Sequence, residues 1–258
     1  MYDLGEQFKM DYEKAMANPS SIIKDTNSKY RFTLITDSLI RIEYSENGIF
    51  LDKPTELVWY RNYEKPNFQI KEDSKYLEIE TKMYKLYYTK GKDIRGSKIN
   101  PSANLRIELK GTDRVWYYGH PEVRNYGSPS ELLESSKKSF KTKKGLYSGD
   151  GFVSIDDSLD NVISENGILE EREHKEIDIY VFMYGKDFSE CLRSYFMITG
   201  YPALIPRYAL GNWWSRNVTY DDAKLKKLVD EFGEKKIPIS VLLLNSDWHI
   251  KNFNNKVV

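Results

Sequence analysis

Few residues in this sequence have the types and spacing that chemistry requires. His120, His174 and His249 stand far apart, and none is at the i, i+3 or i, i+4 spacing that sets two metal ligands on one helical face. Cys191 is the single cysteine, so no internal disulfide can form, and no serine or cysteine sits in a nucleophile motif. Gly145, Gly149 and Gly151 are followed by neither a helix nor Lys-Ser/Thr, so they do not make a phosphate cradle. Carboxylates, amides and rings remain. Asp150 lies between two glycines, which describes a plain turn as readily as a ligand-facing loop. Trp213 and Trp214 are adjacent, Arg216 follows them, and Asn245, Asp247 and Trp248 cluster further on. On a strand the two tryptophans must point to opposite sides, so at most one can face a ligand while the other packs. Asn217-Val-Thr219 fits a glycosylation acceptor, but no secretion signal accompanies it.

The bulk composition narrows the partners. Lys+Arg and Asp+Glu both number 39, and this zero balance gives no electrostatic case for nucleic acid or an anionic membrane. Nowhere do eighteen apolar residues run together, so no membrane-spanning helix is expected. The first residues are charged and lack an apolar signal core; with the lone cysteine this points to a reducing, cytoplasmic setting. Twenty Tyr, eleven Phe and five Trp suit pleated, half-buried surfaces, and so a β-rich fold. They would also suit sugar faces, although core packing is the commoner use.

The elements that must position these groups fall into two parts. From about Lys29 to Tyr184 short strands alternate with turn residues. Tyr30–Thr36 and Leu39–Tyr44 flank the turn at Asp37-Ser38, and Arg41 and Glu43 alternate with Ile40, Ile42 and Tyr44 as a sheet with one wet face requires. Further strands are expected at 68–71, 76–81, 84–89, 105–109, 115–118, 151–155 and 177–183, with a polar, lysine-rich surface excursion over 128–144. Many short strands with little helix predict an antiparallel β-sandwich. After Gly185, Phe188, Leu192, Tyr195, Phe196 and Thr199 fall at helical spacing, with Asp187 to cap and Gly200 to stop. Two prolines then stiffen 201–207. Beyond them, Tyr208–Ser215 reads as a buried strand. Thr219 can cap a helix with a Leu225, Leu228, Val229, Phe232 stripe ended by Gly233, and Ile237–Leu244 reads as a strand covered on both faces. One strand-helix-strand unit implies a parallel pair.

Four segments, in order, resemble glycoside hydrolase family 31. Gly48-Ile-Phe-Leu-Asp-Lys-Pro-Thr55 with Arg61-Asn62, and Gly145-Leu-Tyr-Ser-Gly-Asp-Gly-Phe-Val-Ser-Ile-Asp-Asp-Ser158, look like that family's N-terminal sandwich. Thr199-Gly-Tyr-Pro-Ala-Leu-Ile-Pro-Arg-Tyr-Ala-Leu-Gly-Asn-Trp-Trp-Ser-Arg216 is similar to the start of its barrel. Ile237-Pro-Ile-Ser-Val-Leu-Leu-Leu-Asn-Ser-Asp-Trp-His249 is similar to the second barrel strand and its exit loop.

The resemblance implies a galactose-mutarotase-like sandwich over 1–185, a linker helix and proline-rich connector over 186–207, and the first strands of a (β/α)₈ barrel over 208–258. It implies a retaining α-glycosidase acting on α-glucosides or α-xylosides without metal or organic cofactor. Such chemistry needs two carboxyl groups about 5–5.5 Å apart, which the family carries on later barrel strands. A full barrel takes about 250 residues, so neither catalytic acid is matched in this chain. These 258 residues alone are expected to be inactive unless the rest of the barrel is supplied in trans. The sugar-gripping positions that do match are Asn245 (where the family usually has Asp), Asp247, Trp248, Trp213, Trp214, Arg216 and, in the sandwich, Asp150. The alternative reading is a non-catalytic carbohydrate-binding or structural module.

Overall fold

The computed structural model describes residues 11–24, 28–95, 104–129, 142–173, 176–244, 252–253 and 256–257. Contacts divide the chain into two compact units, Met1–Tyr201 and Pro202–Val258.

The first unit opens with β1 (Ile22–Ile23), β2 (Tyr30–Leu34) and β3 (Leu39–Ser45), followed by the meander β4 (Gln69–Glu72), β5 (Tyr76–Glu80), β6 (Tyr84–Thr89), β7 (Leu105–Leu109) and β8 (Val115–Trp116). A short ladder joins β9 (Ser128–Pro129) to β10 (Thr142–Lys143); residues 130–141 of the expected lysine-rich excursion lie outside the described residues. Then come β11 (Phe152–Asp156), the small ladder β12 (Val162–Ile163) with β13 (Leu169–Glu170), β14 (Glu176–Met183) and helix α1 (Phe188–Thr199). The strands form two five-stranded antiparallel sheets, ordered β1-β2-β3-β14-β11 and β4-β5-β6-β7-β8. Alternate side chains of both sheets meet in one core that includes Phe32, Ile40, Ile42, Ile79, Leu86, Ile107 and Val181. The Tyr88 ring sets its edge against Tyr30 and Phe32 across the gap, at centroid distances of 4.5 and 5.3 Å. The expected sandwich is present.

The other face of the first sheet departs from expectation. Arg41 and Glu43 are fully buried, not wet. At one end of this face Leu39, Tyr180, Phe182 and Tyr184 pack with Val58, Cys191 and Ile198 in a second apolar cluster. At the other end Arg31, Arg41, Glu43 and Asp178 lie under the loops that carry Leu51, Arg61, Asp157 and Arg172. The alternation correctly set the register, but it reports polarity rather than exposure. Charged side chains can leave water when each finds an opposite charge.

Helix α1 falls within the first unit, with Cys191, Ser194 and Ile198 as its buried positions. Phe188 and Leu192 of the expected apolar stripe are about two-fifths exposed. Asp187 caps the helix by accepting from the Glu190 amide at 2.9 Å, and Gly200, at φ +85°, ends it.

The second unit holds β15 (Trp213–Ser215), α2 (Asp222–Glu234) and β16 (Val241–Leu243), with a two-residue ladder β17 (Asn252–Phe253) to β18 (Lys256–Val257). β15 and β16 run parallel, with Trp213 opposite Val241. The expected strand over 208–215 begins only at Trp213, because Pro206 leads into a 3₁₀ turn over Arg207–Leu210. The cap of α2 is Asp221, not Thr219; its carboxylate accepts from the Lys224 amide at 2.7 Å, and aspartate outranks threonine at this position. The helix runs through Gly233, and Lys236 takes the positive φ of 54° beyond it. Leu243 is half exposed, so β16 is not the doubly covered strand expected from 237–244: one helix beside two described strands cannot cover both faces.

Candidate functional site

Asp150 is held by the turn after Ser148, whose hydroxyl accepts from the Asp150 amide at 2.9 Å. The following residue has to be glycine. Gly151 sits at φ +76°, and a Cβ there would meet the Gly185 carbonyl oxygen at 2.7 Å. The Asp150 side chain is 11% exposed, and its Oδ1 lies 3.5 Å from Nη1 of both Arg114 and Arg124. Together with Trp116, His120, Glu122 and Phe152, Arg114 and Asp150 line a cavity of about 280 Å³. The turn reading of Asp150 and its ligand-facing reading are therefore compatible. Arg114, Arg124 and Glu122 went unnoticed in the sequence because no spacing links them to Asp150; only the fold brings them there.

In the second unit, the β15 alternation holds. Trp213 is half exposed, and its Nε1 donates to the Ala209 carbonyl at 2.9 Å. Trp214 turns the other way and sets its ring edge-on to Phe232 of α2, with centroids 5.0 Å apart. The packing role thus falls to Trp214 and the outward role to Trp213. Arg216, just past the strand, is exposed. Asn245, Asp247 and Trp248 lie outside the described residues. Among the described residues no group of three or more His, Cys, Asp or Glu is arranged to hold a metal ion.

Opposed carboxyl titration, the mark of many acid/base pairs, occurs elsewhere. Burial, then the Asp178 charge, push Asp157 up to about 8. Burial opposes ionisation of Asp178 too, but the charge and hydrogen bonds of Arg41, with Arg61 and Arg172, outweigh it and hold that carboxyl at about 2. Both side chains have zero exposure. Asp178 receives Arg41 Nε and Nη2 at 2.8 and 2.7 Å; Asp157 accepts from the Thr55 hydroxyl at 2.9 Å and faces Arg172 at 3.2 Å. Every approach is taken by protein, so this pair is structural.

Comparison with known proteins bears on both units. Residues 202–257 match the family model for the glycosyl hydrolases family 31 TIM-barrel domain. An α-xylosidase of Saccharolobus solfataricus is 36% identical over 74 residues, which cover 29% of this chain and 10% of that protein. An isomaltosyltransferase of Sporosarcina globispora is 30% identical over 73 residues, 28% of this chain and 7% of that protein. A family 31 dextranase of Flavobacterium johnsoniae, solved with isomaltotriose, superposes with a TM-score of 0.53 at 17% identity, covering 87% of this chain and 32% of that one. A family 31 α-xylosidase from a soil metagenome, solved with xylose, gives 0.54 at 14% identity over 90% and 41%. At these identities the solved structures speak for the fold. The chain spans less than half the length of each of these relatives.

Proposed function

Residues 202–257 match the family 31 barrel-domain model, and from that premise we propose that the chain is the N-terminal part of a retaining α-glycosidase acting on α-glucosides or α-xylosides. A galactose-mutarotase-like sandwich would lead into the first strands of a (β/α)₈ barrel, with the rest of the barrel needed, in continuity or in trans, to bring the two catalytic acids. The carrying observation is the parallel β15-α2-β16 unit, which coincides with the segment matched to the family's barrel domain. In such barrels function gathers at the C-terminal ends of the strands; Arg216, Asn245, Asp247 and Trp248 follow β15 and β16 in sequence and, with the outward-facing Trp213, would grip substrate in the completed enzyme. Hydrolysis by this route uses paired carboxyls and asks for no metal or organic cofactor. The single cysteine supports a reducing, cytoplasmic location.

A chromogenic assay tests the reading. The 258 residues alone should release no nitrophenol from aryl α-xylosides or α-glucosides above a mock preparation, and turnover above it would overturn the proposal. A second reading, a carbohydrate-binding module without catalysis, draws on the Asp150 cavity, which is formed entirely by the first unit.

A further inference from the structure

We infer that the cavity between the turn Tyr12–Lys14, the loop 49–53 and the β12-β13 ladder docks a basic peptide segment of a partner protein, with Lys or Arg on either side of a bulky apolar residue. The inference is independent of the glycosidase reading. Every lining residue belongs to the first unit, and none is among the expected sugar-gripping positions.

The walls are tied to one another. The Tyr12 hydroxyl donates to the Ile163 carbonyl at 2.5 Å, which fastens the N-terminal turn to β12. The Arg61 amide donates to the Lys14 carbonyl at 2.7 Å, and its guanidinium Nη1 to the Lys53 carbonyl at 2.9 Å, which fastens the same turn to the loop. The space so framed is preformed, and at about 480 Å³ it lies within the range of ligand pockets.

Its floor is apolar and open to solvent. Met16 is 51% and Ile49 50% exposed, with the partly buried Phe50 and Leu51 beside them. Apolar side chains gathered within a charged rim mark an interaction surface, and methionine adapts to the shape of an incoming side chain.

The rim is acidic beyond what the protein itself neutralises. Asp52 is answered by Arg31 at 2.9 Å and Glu176 by Arg172 at 2.6 Å. Glu13, Glu165, Glu170 and Glu171 are exposed and have no cationic partner among the described residues; Lys53 is the lining cation left to face all four. Burial, and then the charges of Glu165 and Glu170, raise the Tyr12 phenol above its ordinary value, so the negative potential of the rim reaches that wall of the cavity.

These features define the occupant. An anion would be repelled, an uncharged ligand would leave the carboxylates unanswered, and a purely polar cation would leave Met16, Ile49 and Phe50 in water. The free carboxylates stand on two separate segments, the N-terminal turn and the hairpin, so meeting them takes several positive charges spaced along a chain. A bulky apolar side chain between those charges covers the floor. The ten residues before Asp11 do not qualify, because Asp3 and Glu6 outnumber Lys9.

Fluorescence anisotropy of a fluorescein-labelled Lys-Lys-Leu-Phe-Lys-Lys peptide, titrated with the 258-residue chain, tests this. Saturable binding is expected, and it should weaken as salt is raised. Glu165→Gln combined with Glu170→Gln should weaken it about tenfold, and Ile49→Ser by about as much. All three positions are exposed, so the melting temperature should stay near that of the parent. Asp230→Asn combined with Glu234→Gln removes the same two charges from α2 and should leave affinity unchanged. Absence of saturable binding by the folded parent chain would overturn the inference, as would equal weakening by the two double variants. Binding of spermine, or of Gln-Gln-Leu-Phe-Gln-Gln, as tight as that of the basic peptide would overturn it too.

Discussion

The guanidinium of Arg41 grips the carboxylate of Asp178 through two parallel hydrogen bonds, Nε to Oδ1 at 2.8 Å and Nη2 to Oδ2 at 2.7 Å, across 137 residues of sequence and with neither side chain reaching solvent. Around it Arg31 pairs with Glu43 at 2.6 Å, Arg172 with Glu176 at 2.6 Å, and Arg61 donates to the Tyr180 hydroxyl at 2.6 Å. Neighbouring strands β3 and β14, which align Arg41 opposite Tyr180 and Glu43 opposite Asp178, are thereby joined by charge on one face and by apolar packing on the other.

Removing the Asp178 charge should leave buried Arg41 with Glu43, at 3.1 Å and shared with Arg31, as its remaining opposite charge. Asp178→Asn is expected to destabilise the first unit by about 3–5 kcal/mol, read as a lower urea midpoint. Asp157→Asn should cost under about 1.5 kcal/mol at pH 7, since its carboxyl already holds a proton there and the amide oxygen can still accept from Thr55. Equal losses in the two variants would contradict the assignment.

The same two groups give stability opposite slopes with pH. Unfolded aspartate titrates near about 4. Between there and about 8 the folded state keeps a proton on Asp157 that the unfolded chain has released, so this group's contribution falls as pH rises through that window. Asp178, at about 2, contributes above the unfolded value and loses its contribution as pH falls from about 4 towards 2. Urea midpoints at pH 6, 7.5 and 9 should fall in the parent chain, and fall less in Asp157→Asn. An identical slope in the variant would remove Asp157 as its source.

This network also marks the limit of what could be read from sequence. The period of two at Leu39–Tyr44 gave the correct register for β3, because Ile40, Ile42 and Tyr44 do face the shared core. It could not show that the loops around Leu51 and Asp157 cover the opposite face, since a charged residue is written the same way whether it meets water or a buried partner. The α1 boundaries were legible from Asp187 and Gly200, but its buried face was not: Ser194, a small polar residue, is buried while Phe188 is partly exposed. At the candidate site, the opposed directions of Trp213 and Trp214 followed from strand geometry. The convergence of Arg114, Arg124 and Glu122 on Asp150 did not, because it depends on how β8 and the loops after it are laid beside β11.

Cys191 reports on the first unit. Burial pushes its thiol up to about 12, and the side chain is 1% exposed. A disulfide reagent at pH 8 should leave it unmodified in the native chain and label it fully in urea. Rapid labelling of the native chain would show that α1 does not pack as described.

The second unit should open far more readily than the first. None of its described residues from 202 to 244 is buried, whereas β3 and most of β14 are buried. Amides of β15 and β16 are expected to exchange roughly a hundredfold faster than those of β3 and β14, or more. Comparable protection in both would show that the parallel pair is covered by something beyond α2.

Retaining glycosidases pass through a covalent glycosyl-enzyme, so the claim that these 258 residues hold no competent nucleophile can be tested by weighing the protein. The chain is incubated with a 5-fluoro-α-glucosyl fluoride, which traps that intermediate, and examined by intact mass spectrometry. The account predicts one species at the unmodified 30.3 kDa. A stoichiometric covalent adduct of one fluorosugar on the native chain, absent when the chain is denatured before incubation, would contradict it.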